Sequence, residues 1–247
     1  MSIQSASDWA GLKRVGRIVR LTLEALADAV RPGVTTTELD EVANRVVKRY
    51  GARSAPALVY GFPGTVLISI NDEVVHGVPG TRRIAAGDLV KLDVTPELDG
   101  YVADGARSVL VDPVGGDAAA LKQCAEDAFS RALSAAQAGN RVNEIGRTVQ
   151  QTVSAQGFRV VRGLDGHGVG RTIHEPPTVP NWYNALQTDR LTDGLVLTIE
   201  PIIASGSAAV FTDSDGWTIR TKDGGLSAHH EHTIVITRGE PILLTAA

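Results

Sequence analysis

The chain of 247 residues carries one cysteine, Cys124, so no disulfide within the chain can staple it and its fold must rest on buried apolar surface. Aromatic residues supply only 4% of the sequence, and no basic stripe with interleaved aromatics occurs, so direct nucleic-acid binding is not expected. No apolar run approaches the roughly 20 residues needed to cross a bilayer. The first ten residues are polar, and the amphipathic pattern from Trp9 onward is broken by Arg and Lys, so neither a membrane span nor a secretory signal is expected. Excess charge of one sign is missing too: 24 Lys and Arg against 28 Asp and Glu leave −4, spread without runs or tails. What remains is a globular, enzyme-like composition suited to a reducing cytoplasm and long enough to bury a sizeable core. Cys124 lies in an alanine-rich helical pattern and reads as a small packing residue.

What the sequence has is an internal repeat. Residues 33–52 (GVTTTELDEVANRVVKRYGA) align without a gap on residues 139–158 (GNRVNEIGRTVQQTVSAQGF) at an offset of 106. Each copy reads as a glycine turn, a helix with apolar residues three and four apart, and a glycine stop. Further helical patterns precede them at 8–30 and 117–138. The similarity runs into the following strands, where GDLVKLD ending at Asp93 matches GLVLTIE ending at Glu200 at an offset of 107. The turn-rich segment DPVGGD at 112–117 separates the copies. The reading is one domain over 1–247, built from pseudo-twofold related helix-helix-sheet halves of about 1–115 and 116–247.

Acids gather on the strand patterns. Residues 88–95 and 101–111 read as a hairpin joined through ELDG, and a symmetric turn centred between Leu98 and Asp99 would set Asp93 opposite Asp104, with Cβ atoms roughly 5 Å apart. Two carboxylates that close require either a proton or a cation between them. The back half repeats the problem, with Glu200 closing a strand at 195–199 and Glu231 opening one at 233–237. Four converging acids are more easily reconciled with two divalent cations than with two shared protons. Such an oxygen-rich site suits Mn, Fe, Co or Zn.

Six histidines complement them. His76 lies in NDEVVHGVP, and His167 and His174 lie in GHGVGRTIHEPP, where glycines allow close backbone or ligand approach. No helix follows GHGVG, which argues against a phosphate loop. His230 and His232, flanking Glu231, read as structural.

Through these blocks, together with TIEP at Glu200 and EHT at Glu231, the sequence resembles the type I methionine aminopeptidases over essentially its whole length. The resemblance implies the α+β pita-bread fold with curved antiparallel sheets. It implies that Asp93 chelates one metal, that His167 and Glu200 chelate the other, and that Asp104 and Glu231 bridge both. His76 and His174 become the substrate histidines, with Glu200 as the proton shuttle. Phe62 and Trp217 match the family's aromatic pocket, completed here by Leu67 and Ile173. The implied activity is removal of the N-terminal methionine from nascent polypeptides by a monomeric, ribosome-proximal enzyme in the cytoplasm.

Departures gather around the pocket. Pro56 and Leu67 replace two cysteines common in bacterial members, Val59 and Tyr60 replace a tyrosine and a histidine, Ile173 replaces a phenylalanine, and His229 replaces a glutamine. Gly105 stands where the family usually has threonine or serine after Asp104. The short interval from His174 to Glu200 excludes the helical insertion of type II enzymes. Rival readings are a proline-directed relative, which usually carries an extra N-terminal domain, and a pita-bread module that binds peptides without hydrolysis.

Overall fold

Apolar spacing places the helices. In the computed structural model, which describes residues 1–246, α1 (Ala6–Ala29) buries Leu12, Val15, Val19, Leu23 and Leu26 along one face. Each such side chain contributes about 1.5–3 kcal/mol of burial free energy. Gly11 on the same face lets α1 lie against Tyr101, whose ring would be 2.4 Å from any Cβ at that position. α2 (Thr36–Arg49) opens with a capping box in which the Thr35 amide donates to Glu38 at 2.7 Å and the Glu38 amide donates to the Thr35 hydroxyl at 3.1 Å.

α3 (Ala55–Tyr60) is a short helix that the pattern at 53–62 did not announce. Its start is fixed by Ser54, whose hydroxyl accepts from the Ala57 amide, and by Pro56 in the first turn. α4 (Gly116–Leu133) and α5 (Val142–Ala155) repeat the α1–α2 arrangement. α4 stops short of the expected 138, at a point where the Ser134 hydroxyl turns back to the Arg131 carbonyl at 2.7 Å. Cys124 packs fully buried beneath α4 among Leu121, Ala125 and Val149.

Eight strands make the main sheet: β1 (Leu67–Ile70), β2 (Leu89–Val94), β3 (Gly105–Leu110), β4 (Gly166–Gly168), β5 (Glu175–Val179), β6 (Val196–Ile199), β7 (Glu231–Val235) and β8 (Ile242–Leu243). Their order is β5-β4-β6-β7-β3-β2-β1, with β8 paired to β7. Within this sheet the front half thus meets the back half at one antiparallel seam, β3 against β7, with Glu231 opposite Ala106.

Strand alternation then sorts side chains between two faces. Val90, Leu92 and Val94 of β2 pack into the core beneath α1 and α2, and Leu197 and Ile199 of β6 pack beneath α4 and α5. Their neighbours Asp93, Thr198 and Glu200 therefore project to the opposite face, away from α1, α2, α4 and α5. The fold is the pita-bread arrangement that the resemblance implied.

Two expectations need correction. The strand at 101–111 is interrupted between Val102 and Gly105, leaving Asp104 in the break. The turn is centred one residue later than expected, on Asp99 and Gly100, which both adopt positive φ (53° and 76°) as a type I′ turn demands. Asp93 consequently pairs with Ala106 rather than Asp104. A slip of two residues preserves the face, so both acids still point the same way. Among the described residues no helix is long and apolar enough to cross a membrane.

Candidate active site

A cavity of about 370 Å³ opens on that face across the seam. All five expected metal ligands line it, as do His76, His174, Phe62, Leu67, Ile173 and Trp217. Asp93 comes from β2, Asp104 from the break before β3, His167 from β4, Glu200 from the end of β6 and Glu231 from the start of β7. Ligand atoms of Asp104, His167 and Glu231 lie within 4.8 Å of one another, and so do those of Asp93, His229 and Glu231.

Crowding shows in the electrostatics. Burial, and then the Asp104 and Glu200 charges, push the Asp93 carboxyl well above its ordinary range. Burial raises Glu200 and Glu231 as strongly, with the Asp104 charge next in each case. Asp104 is pushed up by burial to about 6, held there by the Thr95 hydroxyl, which donates to it at 2.8 Å. Asp93 Oδ1 and Glu231 Oε1 are buried without any hydrogen-bond partner. Unpaired carboxylate oxygens facing one another are costly unless cations lie between them. The donor set therefore fits divalent metal ions.

His167 is pre-oriented to join that set. Its Nδ1 lies 3.0 Å from the Gly168 carbonyl, which can only accept, so Nδ1 carries the proton. Nε2 then turns its lone pair to Glu200 at 3.6 Å and Asp104 at 3.9 Å. Burial, then His174, depress the His167 pKa to about 4, keeping the imidazole neutral and able to ligate. The Thr198 hydroxyl anchors both ligands, accepting from the His167 amide at 3.1 Å and donating to Glu200 Oε1 at 3.0 Å.

His174 sits edge-on to His167, ring centres 4.3 Å apart, and burial lowers its pKa. Its Nδ1 lies 2.5 Å from the Tyr60 hydroxyl at the tip of α3. His76 takes a left-handed backbone (φ 60°), an unusual conformation for a non-glycine residue and one that recurs at functional sites. Burial, and next His174, lower the His76 pKa.

The residues expected around the pocket lie mostly together. Phe62 and Trp217 meet edge to face with centres 5.3 Å apart, and Pro56, Tyr60, Leu67 and Ile173 close the cavity around them. Val59 is a correction: it is 56% exposed on the outer side of α3 and does not line the cavity. The histidines around Glu231 are sorted by alternation. His230 and His232 face α4, each with its ring centre 5.1 Å from Phe129, while His229 shares the face of Glu231 and enters the cavity. Gly105 is accounted for by packing, since a Cβ there would come within 2.9 Å of Val19.

Comparison with known proteins agrees with this geometry. Residues 10–238 match the model of metallopeptidase family M24. The "Methionine aminopeptidase 2" of Bacillus subtilis is 41% identical over 247 residues, covering 99% of each chain. The crystal structure of a methionine aminopeptidase from Thermotoga maritima superposes with a TM-score of 0.96 at 31% identity, covering 99% of both chains. A prolidase from Pyrococcus furiosus shares the fold at a TM-score of 0.79 and 22% identity, over 98% of this chain and 65% of its own. With carboxylates and an imidazole from both halves meeting across one seam, and a family match spanning nearly the whole chain, this protein belongs to metallopeptidase family M24.

Proposed function

We propose that this chain removes the N-terminal methionine from proteins and peptides by hydrolysing their first peptide bond. The observation that carries the reading is the convergence, in one cavity, of Asp93, Asp104, His167, Glu200 and Glu231 with His76, His174 and an apolar wall. Two divalent ions, of Mn, Fe, Co or Zn, held by those five ligands would supply an acidified water as nucleophile at neutral pH. Asp93 would help hold one ion and His167 and Glu200 the other, with Asp104 and Glu231 available to both.

The chain's own groups do the remainder. Glu200, fixed by Thr198, takes the proton released on attack. His174 donates from Nε2 to the scissile carbonyl and to the oxyanion that develops there. His76 orients the scissile amide and the leaving peptide. A free, neutral α-amine at the end of the substrate would reach one of the ions, and a chain lacking that amine would lose this anchor, which restricts action to chain ends. Phe62, Leu67, Ile173 and Trp217 wrap an unbranched thioether, and a wall of this kind separates side chains differing by one methylene by only about 10 to 200-fold. The same reading places the enzyme in the cytoplasm as a monomer acting on nascent chains.

The test strips the protein with chelator and returns Mn, Co or Fe while following Met-Ala-Ser, Leu-Ala-Ser and an Xaa-Pro peptide. Metal-restored cleavage of Met-Ala-Ser, about tenfold or more above Leu-Ala-Ser, is expected. Preferential cleavage of the Xaa-Pro peptide would overturn the specificity, and metal uptake without any cleavage would overturn the catalysis. His174→Ala is expected to retain its metal and lose about 10²–10³ in kcat. Loss of metal from that variant would contradict the role given to His174.

A further inference from the structure

We propose that His229 is a sixth protein ligand, adding an imidazole nitrogen beside Asp93 and Glu231 to a metal position that the other residues furnish with oxygen alone. The inference rests on the two-ion reading above and extends it to a residue to which that reading gives no role.

His229 is 1% exposed, and neither of its ring nitrogens has a hydrogen-bond partner. An imidazole buried with both nitrogens idle is expensive, and native interiors seldom leave one so. Its surroundings show where it points. Nε2 lies 3.6 Å from Glu231 Oε2 and 3.8 Å from Glu200 Oε2, too far for hydrogen bonds. Two donors held about 2.1 Å from one ion at the tetrahedral angle stand about 3.4 Å apart, close to the spacing seen. Asp93, His229 and Glu231 all bring a donor atom within 4.8 Å of one another. Of the same two carboxylates, Asp93 Oδ1 and Glu231 Oε1 are also buried without partners.

The backbone that carries the ring is held firmly. The His229 amide donates to the Ser108 hydroxyl at 3.0 Å, and that hydroxyl donates back to the His229 carbonyl at 2.9 Å. On its other side the residue pairs with Ile202 in a short antiparallel ladder. Ser108 belongs to β3, so the clamp ties His229 across the seam to the strand that follows Asp104. The outcome is one imidazole for each ion: His167 at the position shared with Glu200, and His229 at the position shared with Asp93. Nitrogen at the second position shifts its preference from Mn towards Fe, Co and Zn.

X-ray absorption on the zinc-loaded protein tests this directly. Wild type carrying two zinc ions should show on average one imidazole per zinc, and His229→Gln, which restores the amide of the family's glutamine, should show one imidazole per two zincs. Calorimetric titration of the metal-free proteins should show the affinity of one ion fall by about tenfold or more in the variant. One imidazole per two zincs in wild type overturns the proposal even if the variant fails to fold, and so does equal zinc affinity in a folded variant. Absence of stoichiometric zinc uptake by wild type would instead overturn the two-ion reading on which the proposal stands.

Discussion

Tyr60 sits where the resemblance expects a histidine, and its hydroxyl lies 2.5 Å from His174 Nδ1. For His174 to present Nε2–H to a carbonyl, Nδ1 must accept, so Tyr60 donates and fixes the tautomer. Tyr60→Phe is expected to lower kcat about tenfold, equivalent to about 1.4 kcal/mol, with KM and metal content little changed. A parallel rise in KM would show that the hydroxyl binds peptide instead. The contact was invisible in the sequence because Tyr60 and His174 are 114 positions apart and meet only through α3, whose six residues are too few to show a period. Val59 was misjudged for the same reason: on a helix this short, neighbouring side chains point to different sides. The acids and His167 were legible individually, because motif spacing and strand alternation both act over a few residues. The part played by His229 was not, since a change from glutamine to histidine acquires meaning only beside Asp93 and Glu231.

The repeated helices end alike down to single hydrogen bonds. After α2 the amides of Gly51 and Ala52 donate to Lys48 and Val47, and after α5 the amides of Gly157 and Phe158 donate to Ser154 and Val153. Both ends are Schellman motifs whose glycine is left-handed, with φ of 72° and 82°. A Cβ at either glycine would meet nothing within 4 Å, so only backbone strain opposes alanine there. Gly51→Ala and Gly157→Ala should each cost about 1–2 kcal/mol in urea unfolding, and the two costs should be similar. A cost at one site alone would show that the two ends are not equivalent. Element order and repeat offset were readable because helix stops are local chemistry. Strand register was not, because facing acids suggested a turn centred between Leu98 and Asp99, whereas the positive φ of Asp99 and Gly100 sets the partner of Asp93. The Asp-Gly pair carried the better signal.

At the scale of the molecule, the seam between β3 and β7 concentrates charge whose cost depends on pH and metal. Without metal, Asp93, Glu200 and Glu231 hold protons when folded that the unfolded chain releases above about pH 4. The stability this lends is complete below that pH and is lost as pH rises through the raised folded values, with Asp104 crossing at about 6. His167 and His229 act in the opposite sense, because their folded values of about 4 and about 3 are depressed. Their contribution is present above about pH 6.5 and is lost as pH falls towards those values. A divalent ion needs the acids ionised and the imidazoles neutral; the depressed imidazoles stay neutral until about pH 4, so above that it is the raised acids that make the ion compete less well with protons as pH falls. The rise in melting temperature on adding Zn or Mn should therefore be larger at about pH 8 than at about pH 5.5. Glu231→Gln removes a bridging carboxylate and should shrink that rise at both pH values. A metal-induced rise of equal size at the two pH values in wild type would mean that the buried acids are not where the ions bind.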